Sequence, residues 1–327
     1  MLSKFRLVKY LNKDEQSQYP RIDFAFVTAL PKERDAILKL LGVYEIVQVD
    51  LEPLTYYRGR ITIPTTEEYY EVVVIMLLGM GNVDATVSSM EVIKRWHPAC
   101  IVMVGIAGGV PGKTSLGDIV IAKFTYYYEL AKRTAKGDQH RIQQFPSDCL
   151  LYDRALAYEA SEWRNRVGAK GSNILNTDIP FPKVHFGAIA SGEKVIADAK
   201  TLSQLLHECS ELFAVAMEGV GVAKAAARQD YQIRFLEVRS ICDHADIKKN
   251  DEWQMLAAEA ATDFIIDFLR SRPLPPLKTG TPLTKYLLSY EEPLESIIVN
   301  EEVNQTQTRL LDFQNNVKAV SDIQATV

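Results

Sequence analysis

Apolar, β-branched runs recur along this chain, and most stop at a glycine or a small polar cluster just before a helical pattern begins. Buried strands that feed helices look like this, and the alternation predicts an α/β architecture on a mixed, mostly parallel sheet. Strand runs fall at 23–28 (DFAFVT), 55–63, 71–78, 100–104, 118–123, 186–190, 215–217 and 233–241. Pro64 and the four residues after it read as a hairpin turn between the second and third runs. Helical patterns fall at 32–41, 83–95, 149–164, 218–227 and 252–269. In the last of these Trp253, Leu256, Ala260, Phe264 and Phe268 repeat at helical spacing.

The pattern covers residues 21–270 and reads as a single domain. Residues 1–20 read as an amphipathic N-terminal extension in which Leu2, Phe5, Val8 and Leu11 share a helix face. Residues 271–327 open on SRPLPPLKTGTPLTKYLL and read as a Pro-rich linker and tail. One helix is expected near 301–320, as an oligomer arm, a lid or a segment that docks a partner protein. A net charge of −5 argues against a nucleic-acid binder. The cysteines (Cys100, Cys149, Cys209, Cys242) show no CxxC spacing and read as free thiols in a reducing cytoplasm. The five histidines form no ligand motif, so no metal or other cofactor is expected. No apolar run is long enough to span a bilayer.

Three acidic residues stand out by position. Asp243 ends the run FLEVRSICDHAD, where a carboxyl group can be half buried and kept protonated. Glu33 lies in the first helical turn after the first strand, and Glu218 follows Ala216-Met217 at another strand end. Taken singly, each is equally a helix-start acid or a cap. Gly105-Ile106-Ala107-Gly108-Gly109 reads as a tight strand-to-loop turn, and it matches neither a Walker A nor a GxGxxG pattern. Together, the acids sit at three strand ends, which converge on one crevice in an α/β sheet. Breaking an N-glycosidic bond asks for such a set: an acid for the leaving base, carboxylates beside the developing positive charge on the sugar, and a held water or phosphate.

FVTALPKERDAI, LLGMGNVDA, VMVGIAGGV with LGDIVIA, FGAIASGEKVI, AVAMEGVGVA and VRSICDHAD occur in an order that resembles the nucleoside phosphorylase/nucleosidase superfamily. Within it the chain is most similar to methylthioadenosine/S-adenosylhomocysteine nucleosidases, over roughly residues 22–270. The resemblance implies a nucleoside phosphorylase-like sheet flanked by helices. It implies Asp243 as the acid at purine N7, Glu33 as the residue that activates water, and Glu218 with Met217 on the ribose. Val195, Ile196, Ala107, Gly108 and Cys242 would shape the base and sugar pockets.

Several departures from the family bear on the reaction. Ile106 stands where phosphorylases use a hydroxyl for phosphate, and no phosphate-binding arginine motif follows the first strand; both favour water as acceptor. Val195 stands where the family places an aromatic ring, so base stacking is expected from Phe124 or from Tyr126–Tyr128. Lys132, Arg133, Lys136 and Arg141 form either a solvated loop or, in the case of Lys132, Arg133 and Arg141, contacts to a 5′-phosphate. The latter would make AMP or ATP the substrate, as in superfamily nucleosidases that destroy nucleotides in bacterial defence. The resemblance also implies a homo-oligomer, a dimer or a hexamer. A phosphate-dependent purine nucleoside phosphorylase and a nucleotide-sensing module without turnover are the alternatives.

Overall fold

The structure is a computed structural model that describes residues 6–11, 21–64, 66–135, 137–159, 162–175, 181–194, 196, 198–229, 232–243 and 251–277. Along the chain the elements are β1 (Arg6–Leu11), β2 (Phe24–Thr28), α1 (Pro31–Leu41), β3 (Tyr44–Val49), β4 (Thr55–Thr62), β5 (Tyr69–Met76) and α2 (Asn82–Trp96). They continue with β6 (Cys100–Gly109), β7 (Ile119–Tyr127), β8 (Ala131–Thr134), β9 (Gly137–His140), β10 (Gln143–Pro146), α3 (Cys149–Leu156) and α4 (Glu162–Leu175). The remainder are β11 (Val184–Ser191), α5 (Ala199–Glu208), β12 (Leu212–Ala216), α6 (Gly219–Ala227), β13 (Arg234–Asp243) and α7 (Asp251–Arg270).

Strand pairing runs β1-β3-β4-β5-β2-β6-β12-β11-β7-β10, and β13 pairs with both β6 and β7. Half of the mixed sheet therefore closes into a ring, β6-β12-β11-β7-β13. Period-two alternation explains why helices cover both faces of the open half. Phe24 and Phe26 of β2 pack in one apolar cluster with Ile37 and Leu41 of α1 and Leu256, Phe264 and Phe268 of α7. Ala25 and Val27, their neighbours on β2, pack in the opposite cluster with Val92 and Trp96 of α2 and Val222 of α6. The ring has its own small core of Ala107, Val120, Ala122, Ile189, Ala214, Ala216 and Ile241, drawn from all its strands.

The architecture matches the α/β expectation, and the local differences have physical causes. The helix face expected over residues 1–20 is replaced, where the chain is described, by β1, which pairs in parallel with β3. Its backbone groups find partners in β3, a strand the periodicity did not signal. Gly105–Gly109 is the end of β6 rather than a turn, with Gly105–Gly108 paired to β13 and Gly108–Gly109 to β12. The helix expected at 149–164 is two helices, α3 and α4. The polar segment after Tyr128 folds as the hairpin β8–β9. Past Ser271, where the linker is expected to open, the described residues stay bonded to the domain: the Tyr70 hydroxyl donates to Leu274 O, and Leu277 N donates to Asp23 Oδ1 at 2.6 Å. This docks 274–277 on the starts of β2 and β5, away from the strand ends discussed below. The expected helix near 301–320 lies outside the described residues.

One contact ties the two helices of the second apolar face to the strand ends. Asn82, the first residue of α2, accepts through Oδ1 from Ser191 Oγ and from Gly221 N, both at 2.9 Å. At Gly221 a Cβ would sit 2.3 Å from the Asn82 carbonyl oxygen and 2.8 Å from Ala85 Cβ. A Gly221→Ala variant is expected to lose about 1–3 kcal/mol of stability by overpacking. Chemical denaturation followed by circular dichroism measures it, and an unchanged midpoint contradicts the contact.

Candidate active site

Chain segments that leave strand ends line a cavity of about 270 Å³. Glu33 follows β2, Met80 follows β5, Lys194 and Ile196 follow β11, and Met217 and Glu218 follow β12. Arg239, Cys242 and Asp243 come from β13, while Ile106, Ala107 and Gly108 belong to β6.

Glu33 is the third residue of α1 and reaches back over the helix start. Its Oε2 accepts from Ala29 N at 2.8 Å and from Leu30 N at 2.9 Å, which is ordinary capping. Its Oε1 accepts from Ile106 N at 2.8 Å, a contact across the cavity floor that capping does not require. The approach is open because position 105 is glycine: a Cβ there would lie 2.3 Å from Glu33 Oε1. Burial pushes the Glu33 carboxyl above the usual range, against the pull of Arg239 and the backbone N–H groups.

Glu218 has the N-cap position of α6 without doing the work of a cap. Val220 N donates to Ser191 Oγ at 3.3 Å and Gly221 N to Asn82 Oδ1 at 2.9 Å, so other side chains cap the helix. The carboxylate instead accepts from Arg239 Nη2 through Oε2 at 3.0 Å. Among the described residues its Oε1 has no donor. A buried carboxylate with one oxygen held and the other open to a cavity suits a sugar hydroxyl.

Asp243 closes β13 just beyond a register shift: Ile241 pairs with Ala107 and Asp243 with Gly108, leaving Cys242 as an extra residue. Such irregularities re-aim side chains at sites. Cys242 Sγ lies 3.4 Å from Asp243 Oδ2 and 3.6 Å from Ala107 O, so one thiol links the acid to β6. Burial and then Asp243 push that thiol well up, so it stays protonated and can donate.

The structure thus brings together Asp243, Glu33, Glu218, Met217, Ile196, Ala107, Gly108 and Cys242. Val195 lies outside the described residues. Lys132, on β8, and Arg141, just beyond β9, are exposed and are not among the residues that line the cavity. The backbone of Arg133 lies in β8, and its side chain is outside the described residues. Phe124 and Tyr126–Tyr128, expected to stack on the base, are not among those lining residues either. Tyr126 donates its hydroxyl to Glu208 Oε2 at 2.7 Å, Tyr127 lies under Lys224, and Tyr128 packs behind Gly192.

Sequence reasoning missed Arg239, which is 1% exposed. Its Nε donates to Glu237 Oε1 at 2.9 Å, Nη1 to Ile106 O at 3.2 Å and Nη2 to Glu218 Oε2 at 3.0 Å. The signal was present: two charges inside the apolar run FLEVRSIC have to be paired if that strand is buried. Lys194 and Gln254 on the cavity wall carried no such signal. Among the described residues, no group of three or more His, Cys, Asp or Glu side chains is placed to hold a metal ion.

The chain and its fold have counterparts among known proteins. A 5′-methylthioadenosine/S-adenosylhomocysteine nucleosidase of Maridesulfovibrio salexigens is 27% identical over 59% of this chain and 77% of its own length. An ATP nucleosidase of Escherichia coli is 26% identical over 75% of this chain, which spans only 50% of that protein's length. The crystal structure of 5′-methylthioadenosine/S-adenosylhomocysteine nucleosidase from Neisseria meningitidis, in complex with methylthio-immucillin-A, superposes with a TM-score of 0.59 at 20% identity. That superposition covers 76% of this chain and 99% of the other. The phosphorylase superfamily is matched from the residue before β2 to the end of α7, residues 23–270, and the chain belongs to that family.

Proposed function

We propose that residues 21–270 form a purine N-ribosyl hydrolase domain that cleaves the N-glycosidic bond of an adenine nucleoside or nucleotide and releases adenine. The observation that carries this reading is the meeting of Glu33, Glu218 and Asp243 in one cavity, each held differently. Asp243 protonates N7 of the purine, and the bond from C1′ to N9 breaks with its electrons going to the base. The ribosyl cation that develops is flanked by the Glu33 and Glu218 carboxylates. Water attacks C1′ and gives its proton to Glu33. Burial makes Glu33 a stronger base than a surface glutamate, and its three backbone donors hold it in place. Glu218, whose second oxygen is open, binds a ribose hydroxyl beside Met217. The Ile196 and Ala107–Gly108 segments bound the base and sugar pockets.

The names of the nucleosidase relatives support this chemistry, and the ATP nucleosidase supports a second reading in which the substrate is a nucleotide. Incubation with adenosine, methylthioadenosine, S-adenosylhomocysteine, AMP and ATP, with and without phosphate, separates these readings by free adenine. Release without phosphate is expected, and strict dependence on phosphate identifies a phosphorylase instead. A bound nucleoside that survives long incubation identifies a sensing module. Free cysteines at 100, 149, 209 and 242 fit a cytoplasmic setting.

An Asp243→Asn variant keeps the shape and removes the proton, so kcat is expected to fall by about 10²–10⁴-fold with little change in KM. Turnover at the wild-type rate refutes the mechanism. The reaction needs Glu33 ionised, and its pKa is raised. The acid limb of kcat/KM is therefore expected above the ordinary glutamate range, with activity lost as pH falls through it. A limb at or below that range contradicts the role of Glu33.

A homo-oligomer fits the surface beside the cavity. Val83, Val87 and Met90 form an exposed apolar stripe on α2, with Val83 72% exposed, and Met80 extends it to the cavity wall. A second copy over this stripe would complete that wall. Sedimentation is expected to show an oligomer that Val87→Glu dissociates, and a monomeric wild type rejects it.

A further inference from the structure

Glu237 takes no part in the scheme above, yet it is 0% exposed and both of its carboxylate oxygens are bonded. Its Oε2 accepts from Thr125 Oγ1 at 2.6 Å and its Oε1 from Arg239 Nε at 2.9 Å. Room for the carboxylate exists because position 219 is glycine, where a Cβ would lie 2.2 Å from Glu237 Oε2. Glu237, Arg239 and Ile241 alternate on one face of β13, and Ile241 belongs to the core of the closed strand ring. A buried carboxylate is costly there unless it is tied down or has a task.

Arg239 indicates the task. A guanidinium is planar, so fixing the direction of Nε–H fixes the plane in which the terminal nitrogens lie. With Nε on Glu237, Nη1 reaches Ile106 O and Nη2 reaches Glu218, which uses three of its five N–H donors. The other two have no acceptor among the described residues, and Arg239 lines the cavity. We propose that Glu237 is a positioning residue: it orients Arg239 so that the guanidinium holds Glu218 and presents its two remaining N–H groups to oxygen atoms of the bound substrate. This rests on the reading of the cavity as an N-ribosyl hydrolase site.

The charge of Glu237 has a second effect. The titratable groups around Glu33 and Arg239 are Glu218, between β12 and α6, and Glu237, Cys242 and Asp243 on β13. From β6 and β7 the contacts are Ile106 and Thr125, which do not titrate. Three carboxylates (Glu33, Glu218, Glu237) thus draw on one guanidinium, and burial pushes Glu33 and Glu237 upward. Neutralising Glu237 leaves more of the Arg239 charge acting on Glu33. That favours ionised Glu33 and lowers its pKa.

The test compares kcat, KM and pH profiles of adenine release for Glu237→Gln, Glu237→Leu and Thr125→Val. Gln is isosteric: its oxygen accepts from Arg239 Nε and its amide donates to Thr125 Oγ1. Glu237→Gln is expected to keep kcat within a few fold and to move the acid limb to lower pH. Leu leaves the Arg239 plane unfixed, and kcat is expected to fall on the order of a hundredfold, restored by Gln at the same position. Thr125→Val is expected to shift the limb in the same direction by less, and it tests the idea even if Leu does not fold. A purely structural counterion predicts lower melting temperatures with the wild-type pH profile in Gln and Val variants alike, and that result overturns the proposal. A wild type that releases no adenine from any substrate overturns the hydrolase reading and with it the substrate contact assigned to Arg239, whereas a wild type that turns over with unshifted variant profiles overturns the Glu237 proposal alone.

Discussion

A single buried cation organises the centre of this fold. Arg239 is the residue on which Glu218, Glu237 and the carbonyl of Ile106 converge, and Glu33 stands close enough to be pulled by its charge. Removing such a cation from water is costly, and each partner repays part of that cost only while it keeps its geometry. The consequence is mutual constraint. Glu218 is free to face the cavity because Asn82 and Ser191 cap α6 in its place. Glu237 fits because α6 opens on glycine, and Glu33 fits because β6 carries glycine at 105. Small residues at these positions open the space that the charged residues fill.

The ring of strands explains why these charges meet at all. In an open parallel sheet, adjacent strand ends deliver side chains along a line. Here β13 pairs with β6 on one side and β7 on the other, and β12 closes back onto β6. Thr125 of β7 thereby reaches Glu237 of β13, 112 residues away in sequence. The small apolar core of the ring, mostly alanine with one valine and two isoleucines, draws a residue from each of its strands.

What could be read from the sequence follows from how local each signal is. Glu33, Glu218 and Asp243 each sit at the junction of an apolar run and a helix start, a pattern written within a dozen residues. Cys242 and Met217 came with the same segments. Arg239 and Glu237 were in plain view inside one of those runs, but their meaning depends on Thr125, Glu218 and Ile106, which come near only when the ring closes. The arm at Arg6–Leu11 failed for the same reason, because its strand exists through pairing with residues 44–49. Lys132 and Arg141 differ in the opposite way. Charge suggested a ligand contact, while the hairpin register of β8 and β9 sets them in solvent at Lys132 and at the exposed Arg141 beyond.

The same charge balance bears on which acceptor attacks the sugar. A phosphorylase has to bring a phosphate anion under C1′, and that anion needs cations not already claimed. In this cavity Arg239 is shared among carboxylates, and the ammonium of Lys194 is largely exposed and paired with Glu129 at 2.9 Å. Ile106 offers an apolar side chain, and its backbone N–H, the group best aimed at an anion, is given to Glu33. A phosphate drawn there would face Glu33 and Glu218 with Glu237 behind them, each repelling it at short range in a medium that screens poorly. Water carries no charge, leaves the carboxylates their partners and requires a base, the role proposed for Glu33, whose pKa is raised. The electrostatics that make the cluster difficult to bury therefore also favour hydrolysis over phosphorolysis.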